Sequence, residues 1–255
     1  MKKVKIFQKN MPALIIVFVL LFVWQAGAME MNAAYILPSP IGIVKKIWEL
    51  RVILFGIHLP ATLGVTLIGL LISVILGLVL SIVMDAFPWV YRAVYPLIIV
   101  SQTIPTTAIA PLFVLWFGYG IWSKVLVTIL ITFFPVVITV YDGFQAVSEE
   151  QEELLYTFGA RKKDVFFKLK IPATLPFFFS ALKMAIPLSI IGAAIGEWLG
   201  AQSGLGYFSR RMMTQLDGAG VFAPIVLLAA MALLLVGIVV LIEKCINLRD
   251  GMSQE

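Results

Sequence analysis

The sequence predicts an all-α integral membrane protein with six transmembrane helices, built as a single domain over residues 1–255. Three observations on the composition predict this fold. Hydrophobic residues make up 61% of the chain, and only 13% of the residues are charged, whereas a soluble domain carries about 25% charged residues. The mean hydropathy is +1.03. Helices are expected rather than strands because lipid offers no partners for backbone N–H and C=O groups, and the alternating segments of a membrane barrel are absent.

Six apolar segments are long enough to cross the hydrocarbon core, which requires about 20 residues per helix. The first segment also resembles a signal peptide, because lysines precede it and Ala26-Gly27-Ala28 at its end resembles a cleavage site. We expect it to be retained, since the remaining chain is itself a membrane protein and needs no removable signal. The predicted spans are residues 11–29, 59–84, 93–117, 121–141, 177–196 and 221–242.

The charges of the loops predict that both ends of the chain face the cytoplasm. Short cytoplasmic loops of membrane proteins carry an excess of Lys and Arg. With the N-terminus inside, 12 of the 19 Lys and Arg residues fall in cytoplasmic segments and 6 fall outside. The net charge of +5 is therefore spread over loops and ends, which excludes nucleic acid as a partner. The single Cys245 excludes an internal disulfide and a cysteine-rich metal site.

The cytoplasmic connection over residues 142–172 begins with the pattern of a short helix. Ser148 is a predicted N-cap, and the acidic residues that follow it complement the positive end of a helix. Leu154, Leu155 and Phe158 share one face at helical spacing. The glycine at 159 suits the position just after a helix end.

A second short helix is predicted after this glycine. Val165, Phe166 and Leu169 repeat the same apolar spacing, and Pro172 is expected to end the helix. The pair could lie on the lipid surface, as amphipathic helices do. Because anionic lipid would repel the acidic first helix, a helix-turn-helix that docks into a groove of a partner protein is favoured.

At these residues the chain resembles the permease subunits of bacterial importers of the ATP-binding-cassette (ABC) class. In that family the loop reads Glu-Ala-Ala, three residues, Gly, nine residues, Ile, one residue, Leu-Pro. This chain keeps the register, with Leu-Leu in place of Ala-Ala and with the Ile and the later Leu exchanged. The matching positions are Glu153-Leu154-Leu155, Gly159, Leu169 and Ile171-Pro172.

Motifs outside the loop resemble the branch of the family that imports nitrate, sulfonates, taurine and thiamine precursors. They look most similar to permeases for thiamine-precursor pyrimidines, with the sulfonate, nitrate and taurine importers next. The motifs cover nearly the whole chain and are Leu37-Pro38-Ser39-Pro40, Ser101-Gln102-Thr103-Ile104-Pro105, Ala108-Ile109-Ala110-Pro111-Leu112, Trp116-Phe117-Gly118-Tyr119-Gly120, Gly196-Glu197-Trp198-Leu199-Gly200 and Gly204-Leu205-Gly206.

The resemblance implies a non-catalytic subunit of an ATP-driven importer in the bacterial cell membrane. The sequence has no Gly-x4-Gly-Lys-[Ser/Thr] loop, so no cofactor is expected in this chain, and ATP and Mg are expected on a separate cytoplasmic ATPase. The other implied partners are an extracytoplasmic substrate-binding protein, a second copy of the permease and the lipid bilayer. The residues expected to couple to the ATPase are Glu153, Leu154, Leu155, Phe158, Gly159, Ala160 and Pro172.

Polar residues within the predicted spans are candidates for the solute pathway, with hydrogen bonding between helices as the alternative. Lys183 is expected to extend towards the cytoplasmic interface or, as the alternative, to bind an anion. His58 is expected to be a capped histidine at the membrane interface. Glu197 is expected either to structure the glycine-rich turn that follows it or to act as a gate. The pathway candidates are Ser101, Gln102, Thr103, Thr106, Thr107 and Glu197.

Two outer segments, residues 32–58 and 197–220, could contact the binding protein. Within the first, the amphipathic stretch 44–55 could equally lie at the lipid surface, anchored by Trp48.

An ion-coupled secondary transporter or a channel is the alternative function. A secondary transporter typically buries an ionisable relay and shows internal repeats, and neither is visible. A channel leaves the patterned loop unexplained. An intramembrane enzyme needs a catalytic cluster inside the bilayer, whereas Asp85, Asp142 and Glu197 all lie near the ends of predicted spans.

Overall fold

A computed structural model describes residues 2–249 of the chain. All regular elements in that range are helical, which confirms the predicted all-α fold. Nothing is described of the side chains of residues 2–10, 13 and 247–249. Five of the basic residues that predict the orientation therefore have side chains outside the described part: Lys2, Lys3, Lys5, Lys9 and Arg249.

The helices differ in length and in role. Five of them, α1, α3, α6, α8 and α10, are long and apolar enough to cross a membrane. The remaining helices are short. In chain order the elements are α1 (Lys2–Met31), α2 (Pro40–Glu49), α3 (Arg51–Ala86), α4 (Pro88–Ser101), α5 (Thr106–Phe117), α6 (Ile121–Gln145), α7 (Glu149–Thr157), α8 (Lys162–Gly200), α9 (Leu205–Thr214) and α10 (Gly218–Arg249).

The predicted third span, 93–117, is not one straight helix. It is the pair α4 and α5, which meet at an angle of 97°. Two turn hydrogen bonds end α4, from Thr103 N to Val100 O (3.0 Å) and from Ile104 N to Ser101 O (3.3 Å). Pro105 follows, and a proline restricts the residue before it to extended conformations and donates no N–H. The pair counts as the sixth span only when it is taken as one broken helix.

Two prolines lie inside long helices. The second short helix predicted for the connection 142–172 was expected to end at Pro172, whereas α8 runs through this residue. In the same way α3 begins at Arg51 and runs through Pro60, so the helix starts before the apolar span predicted from residue 59. A π-helical turn precedes each proline, at Leu54–His58 and at Phe166–Lys170. The residue four positions before each proline lies in this wider turn, which relieves the clash that a proline ring makes in a regular helix.

The core is formed by α6, which packs between α3 and α8 at glycine positions. On the α3 side, a Cβ atom built on Gly77 would lie 2.6 Å from Val136 of α6. On the α8 side, Cβ atoms on Gly192 and Gly196 would lie 2.7 and 2.9 Å from the Cα atoms of Thr128 and Lys124. Small residues let membrane helices approach closely, which is the main source of their packing energy.

Candidate functional site: the coupling elbow and the outer anchor

The helix α7 begins with a reciprocal cap. The hydroxyl of Ser148 accepts a hydrogen bond from Gln151 N (3.4 Å), and Gln151 Oε1 accepts one from Ser148 N (3.2 Å). Three glutamates lie in the first turn, where negative charge complements the helix dipole. Ser148 is thus the N-cap that the sequence predicted, and local interactions determine where α7 starts.

A glycine in a left-handed conformation ends α7. The N–H groups of Phe158, Gly159 and Ala160 bond to the carbonyls of Leu154 (3.2 Å), Tyr156 (2.9 Å) and Leu155 (3.0 Å). Gly159 has a φ of +83°, which is the conformation of the residue that follows many helix ends and which side chains with a Cβ disfavour. The turn between α7 and α8 is therefore fixed by its own backbone. We call residues 148–172 the elbow.

The tip of the elbow is apolar and uncovered. Leu154 is 58% exposed and Phe158 is 79% exposed, and no residue of α7 is buried. Leu155 and Ala160 are half-buried, while Glu153 and Pro172 are exposed. A pocket of about 320 Å³ lies at the tip and is lined by Leu155, Phe158, Gly159, Ala160, Asp164 and Lys168.

The second half of the elbow faces the bundle, contrary to the expectation of a second outward apolar face. Val165 is 1% exposed, and the ring of Phe166 stacks on Phe144 of α6 with centroids 5.9 Å apart. Because α8 continues into the core, its first turns must pack against α6, which turns these side chains inward. Phe167 is the aromatic residue of this half that remains exposed, at 63%.

The five polar pathway candidates of the third predicted span meet at the break between α4 and α5. Gln102, Thr103 and Thr107 are exposed, and Ser101 and Thr106 are half-buried. The hydroxyls of Ser101 and Thr103 donate to carbonyls of their own helix, Ile98 O and Val100 O, both at 2.7 Å. Among the described residues, neither hydroxyl has a hydrogen bond to another helix.

Glu197 lies in a different, buried polar network at the start of α9. Its Oε2 atom accepts hydrogen bonds from Gly206 N (2.8 Å) and from the hydroxyl of Thr62 (3.0 Å). The same hydroxyl accepts a bond from Leu205 N (2.8 Å). Glu197 is 1% exposed, so its contacts order the glycine-rich turn. We call Glu197, Thr62 and His58 the outer anchor.

His58 completes the outer anchor and is buried among protein side chains. It is 4% exposed, and its Nδ1 atom accepts a hydrogen bond from Gly204 N (3.1 Å). Its ring packs on Phe208 at 4.9 Å. The sequence did not predict this position because the π turn brings His58 inward and the contacts come from α9, about 146 residues away in the chain.

Two ion pairs tie α10 to its neighbours. Lys183 was expected to extend to the interface or to bind an anion, but its Nζ lies 3.0 Å from Glu243 of α10. At the end of the bundle away from the elbow, Lys46 Nζ lies 2.8 Å from Asp217. The hydrogen bond to Asp217 raises the pKa of Lys46. Burial raises the pKa of Asp217, but its bonds to Lys46 and Gly220 N outweigh this, and the net shift is downward.

Comparison with known proteins identifies the family of the chain. Residues 69–247 match the family described as binding-protein-dependent transport system inner membrane component. This range includes the elbow and Glu197 of the outer anchor. The chain belongs to this family. It is thus a multi-pass inner-membrane permease subunit of an ABC importer, which confirms the resemblance seen in the sequence.

Three relatives illustrate the match. The chain is 53% identical to the formylaminopyrimidine transport permease of Halalkalibacterium halodurans, covering 84% of this chain and 86% of the relative. A probable ABC transporter permease of Haemophilus influenzae is 35% identical, covering 87% and 91%. The riboflavin transport system permease of Chloroflexus aurantiacus is also 35% identical, covering 91% and 89%. The chain is also similar to permeases named for aliphatic sulfonates, nitrate and taurine, at 30%, 27% and 27% identity.

The outer anchor predicts a difference between two glycines with positive φ. Gly204 (φ +115°) would place a Cβ against the carboxylate of Glu197, whereas Gly118 (φ +69°) has open space around it. Gly118→Ala should cost about 1–2 kcal/mol of backbone strain, and Gly204→Ala should cost about 1–3 kcal/mol more from overpacking. Thermal unfolding of the purified variants in detergent measures this, and equal losses for the two would contradict the anchor.

Proposed function

We propose that two copies of this chain form the solute pathway of an ATP-driven importer, and that the elbow of each copy docks a separate cytoplasmic ATPase subunit. The observation that carries this proposal is the uncovered apolar tip: Phe158 is 79% exposed on a helix with no buried residue. The chain supplies no nucleotide-binding loop, so ATP and Mg are bound by the ATPase and this subunit is non-catalytic.

The chemistry of α7 supports a protein partner rather than lipid. Burying an aromatic side chain of this kind removes apolar area worth roughly 2–3 kcal/mol, and buried aromatic residues are frequent binding hot spots. The acidic first turn of α7 would be repelled by anionic lipid. A groove with an apolar floor and a basic rim matches both features.

In the proposed cycle, closure of the two ATPases on ATP moves the docked elbows. Because α8 runs without interruption from the elbow into the core, its displacement tilts the bundle. The pathway then opens to one side of the membrane and afterwards to the other, as in other two-state rocking transporters. Hydrolysis resets the state, and an extracytoplasmic binding protein supplies the solute at the outer side, where α2 and α9 lie.

The orientation that this cycle requires places the elbow and both termini in the cytoplasm. The excess of Lys and Arg on that side supports it. The bacterial cell membrane is the location.

The solute that we propose is a thiamine-precursor pyrimidine. The support is the 53% identity to a permease named for formylaminopyrimidine and the chemistry of the break between α4 and α5. The five candidates there carry hydroxyl and amide groups and no positive charge. Such groups suit a neutral aminopyrimidine, which donates and accepts hydrogen bonds, better than a sulfonate or nitrate anion, which would be expected to meet a cation.

Docking is tested with Phe158→Ala and, as the matched control, Phe87→Ala, an exposed aromatic residue (52%) between α3 and α4 outside the elbow. Phe158→Ala should weaken binding of the ATPase by at least about tenfold, as loss of a hot spot does, and the control should bind normally. Binding is measured by titrating ATPase into permease in nanodiscs, and the native mass of the complex should show two copies of each. Unchanged binding by Phe158→Ala refutes docking at the tip.

The single cysteine provides a test of orientation. Cys245 is exposed near the end of α10. A membrane-impermeant maleimide should label it in inside-out vesicles and not in intact spheroplasts. The reverse pattern means that the C-terminus, and with it the elbow, lies outside.

The solute is tested by reconstituting permease, ATPase and binding protein in liposomes. ATP-dependent uptake of radiolabelled formylaminopyrimidine is expected, and Gln102→Ala should reduce its rate by about tenfold, the effect of losing one or two hydrogen bonds of about 1 kcal/mol each. Excess taurine or nitrate should not compete. Competition by an anion, with no uptake of the pyrimidine, would replace this solute with the anion.

A further inference from the structure

A lysine at the junction of the elbow and the core binds two carboxylates from different helices. Lys170 Nζ lies 3.0 Å from Oε1 of Glu152 on α7, and 3.0 and 3.2 Å from the two carboxylate oxygens of Asp85 on α3. The side chains of Lys170 and Asp85 are only 16% and 7% exposed. Withdrawal from water reduces screening, so these ions interact more strongly than a surface pair does.

This ion triad is the attachment of α7 to the bundle. No residue of α7 is fully buried, and Leu154 of its apolar tip is exposed, so apolar packing contributes little to holding the helix in place. Among the described residues, the pair of Glu152 with Lys170 is the one ion pair that joins α7 to the rest of the chain. A displacement of α7 therefore reaches the bundle through these two side chains and through the two connecting segments, residues 146–148 to α6 and the turn at Gly159 to α8.

The triad also joins helices that are distant in sequence. Asp85 lies one residue before the end of α3 and accepts a further hydrogen bond from the amide of Gln145 at the end of α6 (3.4 Å). Lys170 is the last residue of the π turn in α8. The carboxylate of Asp85 on α3 thus bonds to side chains of both α6 and α8, next to α7.

A polar pocket of about 540 Å³ lies beside the triad, lined by residues that include Tyr91, Tyr141 and Tyr156. The space between α7 and α3 beside the ions is therefore not filled by side chains. Lys170 bridges the two helices there, because it bonds to a carboxylate of each.

We propose that Lys170 is a positioning residue that transmits the movement of the elbow to α3. It holds α7, α8 and α3 together as one lever, and it acts after the ATPase has docked. This inference rests on the proposed function, since it assumes that a partner moves the elbow. Lys170 does not contact the partner, because the docking tip is formed by Leu154 and Phe158.

Removing the cation has a defined consequence. Glu152 and Asp85 would face each other with no positive charge between them, and like charges repel. The helix α7 would then move away from α3 while keeping its own shape, because its cap at Ser148 and its turn at Gly159 do not involve Lys170. The ATPase would still dock and hydrolyse ATP, but the movement would no longer reach α3.

The test uses the complete importer in liposomes and measures ATP hydrolysed per solute transported. Lys170→Met should raise this ratio about tenfold, within the range of coupling between linked sites, while ATPase affinity stays at the wild-type value. Lys170→Arg should keep the ratio near that of the wild type. The matched control is Lys244→Met, because Lys244 is an exposed lysine of α10 that lies outside the elbow.

A charge exchange separates transmission from folding. The triple variant Asp85→Lys, Glu152→Lys and Lys170→Glu places one carboxylate between two ammonium groups, so it should restore transport if Lys170→Met loses transport or fails to reach the membrane. An unchanged ratio in Lys170→Met overturns the inference, and so does a triple variant that stays inactive. Failure of the proposed function is distinct: the wild-type permease would then bind no ATPase at all.

Discussion

The close contact of α6 with α3 on one side and α8 on the other is the interaction on which the other features depend. Lipid removes the apolar driving force between helices, so association in a membrane needs surfaces that approach closely. Here the glycines at 77, 192 and 196 allow that approach to Val136, Thr128 and Lys124. With three helices held at fixed spacing, both polar ends of α3 are placed: Thr62 near Glu197 at one end and Asp85 near Lys170 at the other.

The two polar ends hold short helices in different ways. At the outer end, backbone N–H groups of α9 bond to Glu197, Thr62 and His58, which are all buried. Satisfying buried backbone donors makes that attachment specific and costly to break. At the inner end, α7 is attached through the side chains of Glu152 and Lys170 and has no buried residue. The first arrangement fixes the position of α9, and the second is compatible with the movement of α7 by a docked partner that we propose.

Predictions based on local chemistry were correct. The cap at Ser148 and the left-handed Gly159 are properties of a few adjacent residues, and the sequence pattern identified both. The prediction that Pro172 ends a helix was wrong because a π turn at Phe166–Lys170 makes room for the proline ring. The break before Pro105 was not predicted because hydropathy measures only how apolar a segment is. It carries no information on helix direction, so two helices that meet at 97° were predicted as one span.

The sequence by itself determined the membrane environment, the helical class, the limits of α7 and the family, because each follows from composition or from residues close together in the chain. Only the tertiary structure decided which charges pair. Lys183 with Glu243, Lys170 with Asp85 and Glu197 with Thr62 are separated by 60, 85 and 135 positions. An ionisable side chain near lipid must find a partner, but which partner it finds depends on how the helices pack, and residues close together in the chain do not specify that packing.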